Sequence, residues 1–147
     1  MKNYSKILCA TDFSTLSKAA AERATELTRN YDAHLLLLHI VEYFPEDRSN
    51  FQIAPEDTDP VAYREQQARA ALSEFANQLG LGDAQQEVRF SAHAAKREIV
   101  HYAQENNVDL IVIGAHGHHG ITALLGSSAN GVVNNAPCDV LLVRSKP

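Results

Sequence analysis

Gly114, Gly117 and Gly120 recur at three-residue spacing and are followed by Gly126-Ser127-Ser128. These are the residues of this chain whose types and spacing best suit a ligand. Glycine lets backbone N–H groups approach a bound group with no Cβ in the way. Ser127 or Ser128, at the start of a helix, can cap it and can also bind an anion there. Unpaired N–H groups and the positive end of the helix dipole both favour phosphate at that place. The chemistry is that of a phosphate cradle, most simply for a nucleotide. It is not the Walker pattern, because no lysine follows Gly126 before the serines, and the glycine spacing is not that of the dinucleotide fingerprint.

His116, His118 and His119 lie in the same stretch. Imidazoles bind zinc, but no cysteine or carboxylate accompanies these at ligand spacing, and adjacent loop histidines point apart, so no metal site is expected. His116 or His118 beside phosphates would make affinity change with pH near neutrality. Catalysis needs a nucleophile, a base and an orienting group. Asp12 with a loop serine supplies only fragments of that set, without a nucleophile elbow, so the expected role is binding and not efficient catalysis.

The elements that must position these residues alternate between strand and helix. KILCAT, residues 6–11, is a first apolar strand, and Asp12 follows it directly. Ser14 or Thr15 can cap the next helix, as can Asp12. Leu16, Ala20, Ala24, Leu27 and Tyr31 recur at helical steps. Residues 33–41, AHLLLLHIV, are apolar almost without alternation, as parallel strands covered on both faces are. Residues 43–60 carry Pro45, Pro55 and Pro60 among five acidic residues and read as a flexible surface loop, a lid or a solvated connector. Pro60 suits the first turn of a helix, whose stripe is Ala68, Leu72, Phe75 and Leu79. Residues 85–92 form a more polar strand, fit for a sheet edge. A helix over 96–106 buries Ile99, Val100 and Ala103. A buried strand over 108–113 leads into the glycine loop. Ser127–Asn135 is a short helix with Ala129, Val132 and Val133 on its apolar side, and residues 138–143 are a last strand.

This alternation predicts an α/β fold with a parallel sheet and right-handed crossovers. In such open sheets ligands bind beyond the carboxyl ends of the strands, where strand order reverses. If the first and fourth strands are neighbours, Asp12 faces the Gly114 loop across that crevice.

Composition narrows the class. The 147 residues are 45% hydrophobic and 21% charged, which suits one globular domain over 1–147. No apolar run reaches the length of a membrane span, and the N-terminus has no secretory h-region, so a cytoplasmic location is expected. The net charge is −5 with scattered lysine and arginine, against a nucleic-acid surface. Cys9 and Cys138 read as small buried hydrophobes in a reducing compartment.

Four blocks carry a family resemblance: KILCATDFS, HLLLLHIVE, KREIVHYAQENNVDLIVIGAHGHHG and LLGSSANGVVNNAPCDVLLV. In order and spacing the chain resembles the universal stress protein family, over nearly its whole length. The resemblance implies a doubly wound, open five-stranded parallel sheet in the order 3-2-1-4-5 with helices on both faces. It implies a homodimer paired through Val140, Leu141, Leu142 and Val143, and a stress-response or signalling module with an unknown protein partner. Many relatives bind ATP through Gly-x2-Gly-x9-Gly-(Ser/Thr). By that pattern Thr11 and Asp12 would contact the adenosine end and the Val41 backbone the adenine. Gly114, His116, Gly117, Gly126, Ser127 and Ser128 would lie along ribose and phosphates, with Mg as a possible companion of ATP. Only eight residues, 118–125, separate Gly117 from Gly126, one fewer than the pattern. That spacing is similar to the branch named after universal stress protein A, in which nucleotide binding is often absent. The alternative is therefore an interaction dimer with an empty crevice. His93 stands where many relatives have glycine, and a ring there is expected to narrow the crevice.

Overall fold

The computed structural model describes residues 3–42, 59–116 and 126–144. Five strands and four helices alternate: β1 (Lys6–Ala10), α1 (Thr15–Tyr31), β2 (His34–Glu42), α2 (Pro60–Gln78), β3 (Gln85–Ser91), α3 (Ala95–Glu105), β4 (Leu110–Gly114), α4 (Ser127–Asn135) and β5 (Asp139–Val143). The strands form one sheet in the order β3-β2-β1-β4-β5, every pair parallel. The polar strand β3 is at one edge and β5 at the other. The proline-rich loop expected over 43–60 lies outside the described residues except for its end, where Asp59 caps α2 and Pro60 opens it.

Side chains alternate across each strand, and this sorts the core into two layers. Ile7, Cys9, Leu35, Leu37, Val41, Leu110 and Val112 pack against Ala20, Ala21 and Ala24 of α1 and Leu72, Phe75 and Ala76 of α2. Leu8, Ala10, Leu36, Leu38, Ile40, Ile111 and Ile113 pack against Ile99, Tyr102 and Ala103 of α3 and Val132 of α4. Burial on both faces explains why the central strands are apolar without alternation.

Three expected core positions differ. In α3 the buried ring is Tyr102, 1% exposed, while Val100 is half-buried. The Arg89 guanidinium of β3 sits 4.7 Å from the centroid of the Tyr102 ring and also bonds Glu87, Glu98 and Glu105. A cation over its face gives the phenol ring a reason to turn inward that no helical stripe reveals. Val133 is exposed, because the second valine of the pair points away from the sheet. Cys138, ahead of β5, is half-buried, whereas Cys9 is fully buried and its thiol is pushed up to about 12 by desolvation.

Candidate functional site

The β1–β4 pairing, Ile7↔Leu110 through Cys9↔Val112, brings the carboxyl ends of these two strands together. From β1 the chain turns toward β2, and from β4 toward β5, so this is where the winding reverses. A cavity of about 500 Å³ opens there on the α3/α4 side of the sheet. Its apolar wall includes Ala10, Leu38, Ile40 and Ile113, and its polar groups come from Thr11, Asp12, Ser17, Glu42, His116 and the Gly126–Ser128 segment.

The turn between β1 and α1 is held by a chain of short hydrogen bonds. Thr11 N–H extends the sheet by donating to the Leu38 carbonyl at 2.9 Å. The Thr11 hydroxyl donates to Ser17 Oγ at 2.9 Å and accepts from Phe13 N–H at 2.9 Å. The Ser17 hydroxyl donates in turn to the Ser14 carbonyl at 2.8 Å. Asp12 accepts from Ser14 N–H at 3.0 Å, and Ser14 Oγ accepts from Ser17 N–H at 3.2 Å. Ser14 is therefore the cap of α1, and Asp12, two residues earlier, shapes the approach to the helix instead of capping it. Phe13 has φ of 66°, in the left-handed region. For a bulky side chain that conformation costs roughly 1–2 kcal/mol, and the surrounding bonds and ring contacts offset it.

At the other wall, Gly126 caps α4 with φ −64° and ψ 162°, and no side chain completes the cap. The expectation that Ser127 or Ser128 caps this helix is thus corrected. Both serines lie inside its first turn, with the extended cap position taken by the glycine. Gly126 N–H donates to the Ala115 carbonyl at 2.7 Å, and Ala115 N–H to the Val143 carbonyl at 2.8 Å. The start of α4 is in this way fastened to the ends of β4 and β5. The second helix end at the cavity, α3, has no side-chain cap from its own N-cap, Ala94. Glu42 Oε1 accepts from Ala95 N–H at 3.3 Å and supplies that carboxylate.

Thr11, Asp12, Gly114, His116, Gly126, Ser127 and Ser128, all expected site residues, line this one cavity. Gly114 is closely approached: a Cβ there would come within 3.1 Å of Leu16 Cγ. Val41 does not line it. Its side chain belongs to the α1/α2 layer, and the neighbours Ile40 and Glu42 supply the wall. His93 is exposed and outside the lining, its N–H turned back to Ser91 Oγ, so its ring does not narrow the crevice. Gly117, His118, His119 and Gly120 lie outside the described residues. His116 Nδ1 is buried with no hydrogen-bond partner among the described residues. No group of three or more potential metal ligands occurs among them either.

Sequence reasoning passed over Ser17, Glu42 and His39. His39 faces away from the cavity, yet its ring Nδ1 lies 2.7 Å from the Thr11 carbonyl. A carbonyl only accepts, so Nδ1 carries the proton. Burial lowers the pKa of this histidine, against opposing effects of the Thr11 carbonyl and the Asp12 charge. Between the folded and unfolded values the unfolded chain binds more protons. The contribution of His39 to stability is then complete above about pH 6.5 and declines as pH falls below it. Urea midpoints measured at pH 7.5 and 5.5 are expected to drop more in the wild type than in His39→Asn, and equal drops would contradict this.

The model of the universal stress protein family matches residues 3–144. The chain is 39% identical to universal stress protein A homolog 2 of Coxiella burnetii over 148 residues, covering 99% of each. Among solved structures, a universal stress protein from Lactobacillus plantarum superposes with a TM-score of 0.71 at 25% identity, over 98% of this chain and 100% of that one. A universal stress protein solved in complex with cAMP superposes with a TM-score of 0.67 at 26% identity, over 99% of this chain and 100% of that one. With the doubly wound sheet and a match along nearly its whole length, the chain belongs to the universal stress protein family.

Proposed function

We propose that this protein is a non-catalytic stress-response module that binds an adenine nucleotide, ATP foremost, in the cavity between β1 and β4. The observation that carries the reading is the meeting of an Asp12 carboxylate with the first turn of α4, left without a side-chain cap, across one cavity of about 500 Å³. The carboxylate suits hydroxyl and amino donors of a nucleoside, and the N–H groups of Ser127 and Ser128, beyond the Gly126 N–H that Ala115 engages, suit a phosphate. The relative bound to cAMP supports a ligand of this class. A binding role also fits the hydroxyls of Thr11 and Ser17, whose protons are engaged within the turn and not poised for attack. Thr11, Asp12, Gly114, His116, Gly126, Ser127 and Ser128 are the proposed contacts, with Gly117 a further one from the family pattern. The reading extends to a cytoplasmic homodimer joined through β5, whose residues Val140–Val143 are only half-buried at the sheet edge and leave apolar surface to cover. No helix among the described residues is long and apolar enough to cross a membrane.

Charge sets a condition on the ligand. Neither lysine nor arginine occurs between Arg97 and Arg144, and the described lining carries two carboxylates, Asp12 and Glu42. A triphosphate therefore needs its charge offset by a divalent cation. Isothermal titration is expected to give binding of Mg-ATP that weakens at least about tenfold when EDTA removes the metal, equivalent to about 1.4 kcal/mol. Binding of adenosine is expected to be indifferent to EDTA. The same two carboxylates favour the second reading, an interaction dimer with an empty crevice. Absence of heat at millimolar Mg-ATP and adenosine would select it.

A further inference from the structure

We infer that His39, on the face of the sheet opposite the cavity, is a positioning residue for the Asp12 carboxylate. This rests on the nucleotide reading for its binding consequence, but the geometry stands without a ligand. β2 places His39 among Leu37 and Val41, which belong to the α1/α2 layer, while Leu38 and Ile40 face the cavity. Its ring makes two contacts with the turn that carries Asp12. Nδ1–H donates to the Thr11 carbonyl at 2.7 Å, and the ring plane lies against Phe13 with centroids 4.3 Å apart at 32°. Phe13 is gripped from its other side by Phe75 of α2, with centroids 5.7 Å apart at 61°.

The two contacts bracket Asp12 in sequence: Thr11 is held by its carbonyl and Phe13 by its ring. Phe13 is also the residue with φ of 66°, a conformation that a phenylalanine does not hold unaided. With both neighbours fixed to the far face of the sheet, the intervening carboxylate is directed to the near face, where it accepts Ser14 N–H and lines the cavity. Loss of His39 frees the Thr11 carbonyl and removes one wall of the Phe13 slot. The strained φ then relaxes, and Asp12 no longer keeps one orientation toward the ligand. His39 touches no ligand atom in this scheme; it acts through Asp12.

The test compares wild type, His39→Leu, which keeps bulk without the donor, and His39→Asn, whose side-chain N–H stands near the position of Nδ1–H. Cooperative urea unfolding first confirms that each variant is folded. In ligand-free protein the Ser14 amide proton, bonded to Asp12, is expected to shift upfield in His39→Leu and to stay close to its wild-type position in His39→Asn. Affinity for Mg-ATP is expected to fall about fivefold or more in His39→Leu and to be largely retained in His39→Asn. The loss in His39→Leu with Asp12→Ala is expected to be smaller than the product of the two single losses, since one residue works through the other. An unmoved Ser14 amide, an unchanged affinity in His39→Leu, or losses that simply multiply would each overturn the inference. If wild type does not bind Mg-ATP or adenosine, the nucleotide reading falls, and the Ser14 amide alone decides whether His39 positions Asp12.

Discussion

Tyr102→Ala is expected to lower stability by about 3–5 kcal/mol, the range for deleting a fully buried aromatic ring. Tyr102 is 1% exposed and is the largest fully buried side chain among the described residues, in the layer formed by Leu8, Leu36, Leu38, Ile111 and α3. Truncation opens a hole beneath the sheet and also strips Arg89 of the ring it covers. Arg89 keeps Glu87, Glu98 and Glu105, so its charge remains paired and the loss is dominated by packing. Tyr102→Phe preserves the ring and deletes only the hydroxyl, whose pKa is raised to about 12 by burial foremost. That variant is expected to cost about 1 kcal/mol, the net worth of a hydrogen bond. Urea denaturation of the three proteins checks both values. A Tyr102→Ala loss below 1 kcal/mol would mean that α3 collapses onto the vacated space.

Asp12→Ala is expected to have the largest effect on ligand binding, a fall in Mg-ATP affinity of about 10- to 100-fold. Hydrogen bonds to a charged group are worth about 1.5–3 kcal/mol, and each 1.4 kcal/mol is a factor of ten. Two things are lost together: the carboxylate at the cavity wall and the acceptor for Ser14 N–H. Asp12→Asn separates them. An amide oxygen still accepts from Ser14 and preserves the turn, while the charge is gone. Titration calorimetry that finds Asn as weak as Ala assigns the effect to charge, and Asn close to wild type assigns it to geometry. Affinity unchanged in both variants would remove Asp12 from the site.

The sheet was readable because its central strands are buried on both faces, and uninterrupted runs such as LLLL in β2 leave little alternative. The neighbouring of Asp12 and Gly114 followed from the strand order that the family resemblance implies, and the β1–β4 register agrees with it. The same lack of alternation hides which side of β2 each side chain faces: Val41, expected from the resemblance to act through its backbone, turns its side chain to the α1/α2 layer, and Ile40 and Glu42 line the cavity. Ser127 was expected as a cap because its residue type permits it, yet a cap is decided by backbone angles, and Gly126 has them. His39 and Tyr102 were missed for a common reason. Each is fixed by a partner distant in sequence, the Thr11 carbonyl in one case and Arg89 in the other, and periodicity within one element carries no sign of such partners.

The hydrogen bond from Gly126 to the Ala115 carbonyl closes a ring at the root of residues 117–125. The length of chain between the two clasped residues is thermodynamically inexpensive to alter, since closure entropy grows only with the logarithm of residue number. Adding or deleting a residue there leaves the clasp, and with it the first turn of the last helix, where β4 and β5 put them. The count of eight residues against nine thus bears on the segment between the two clasped residues and not on where α4 begins. Relatives are free to differ in that count while the amide donors of the first turn of α4 keep their address.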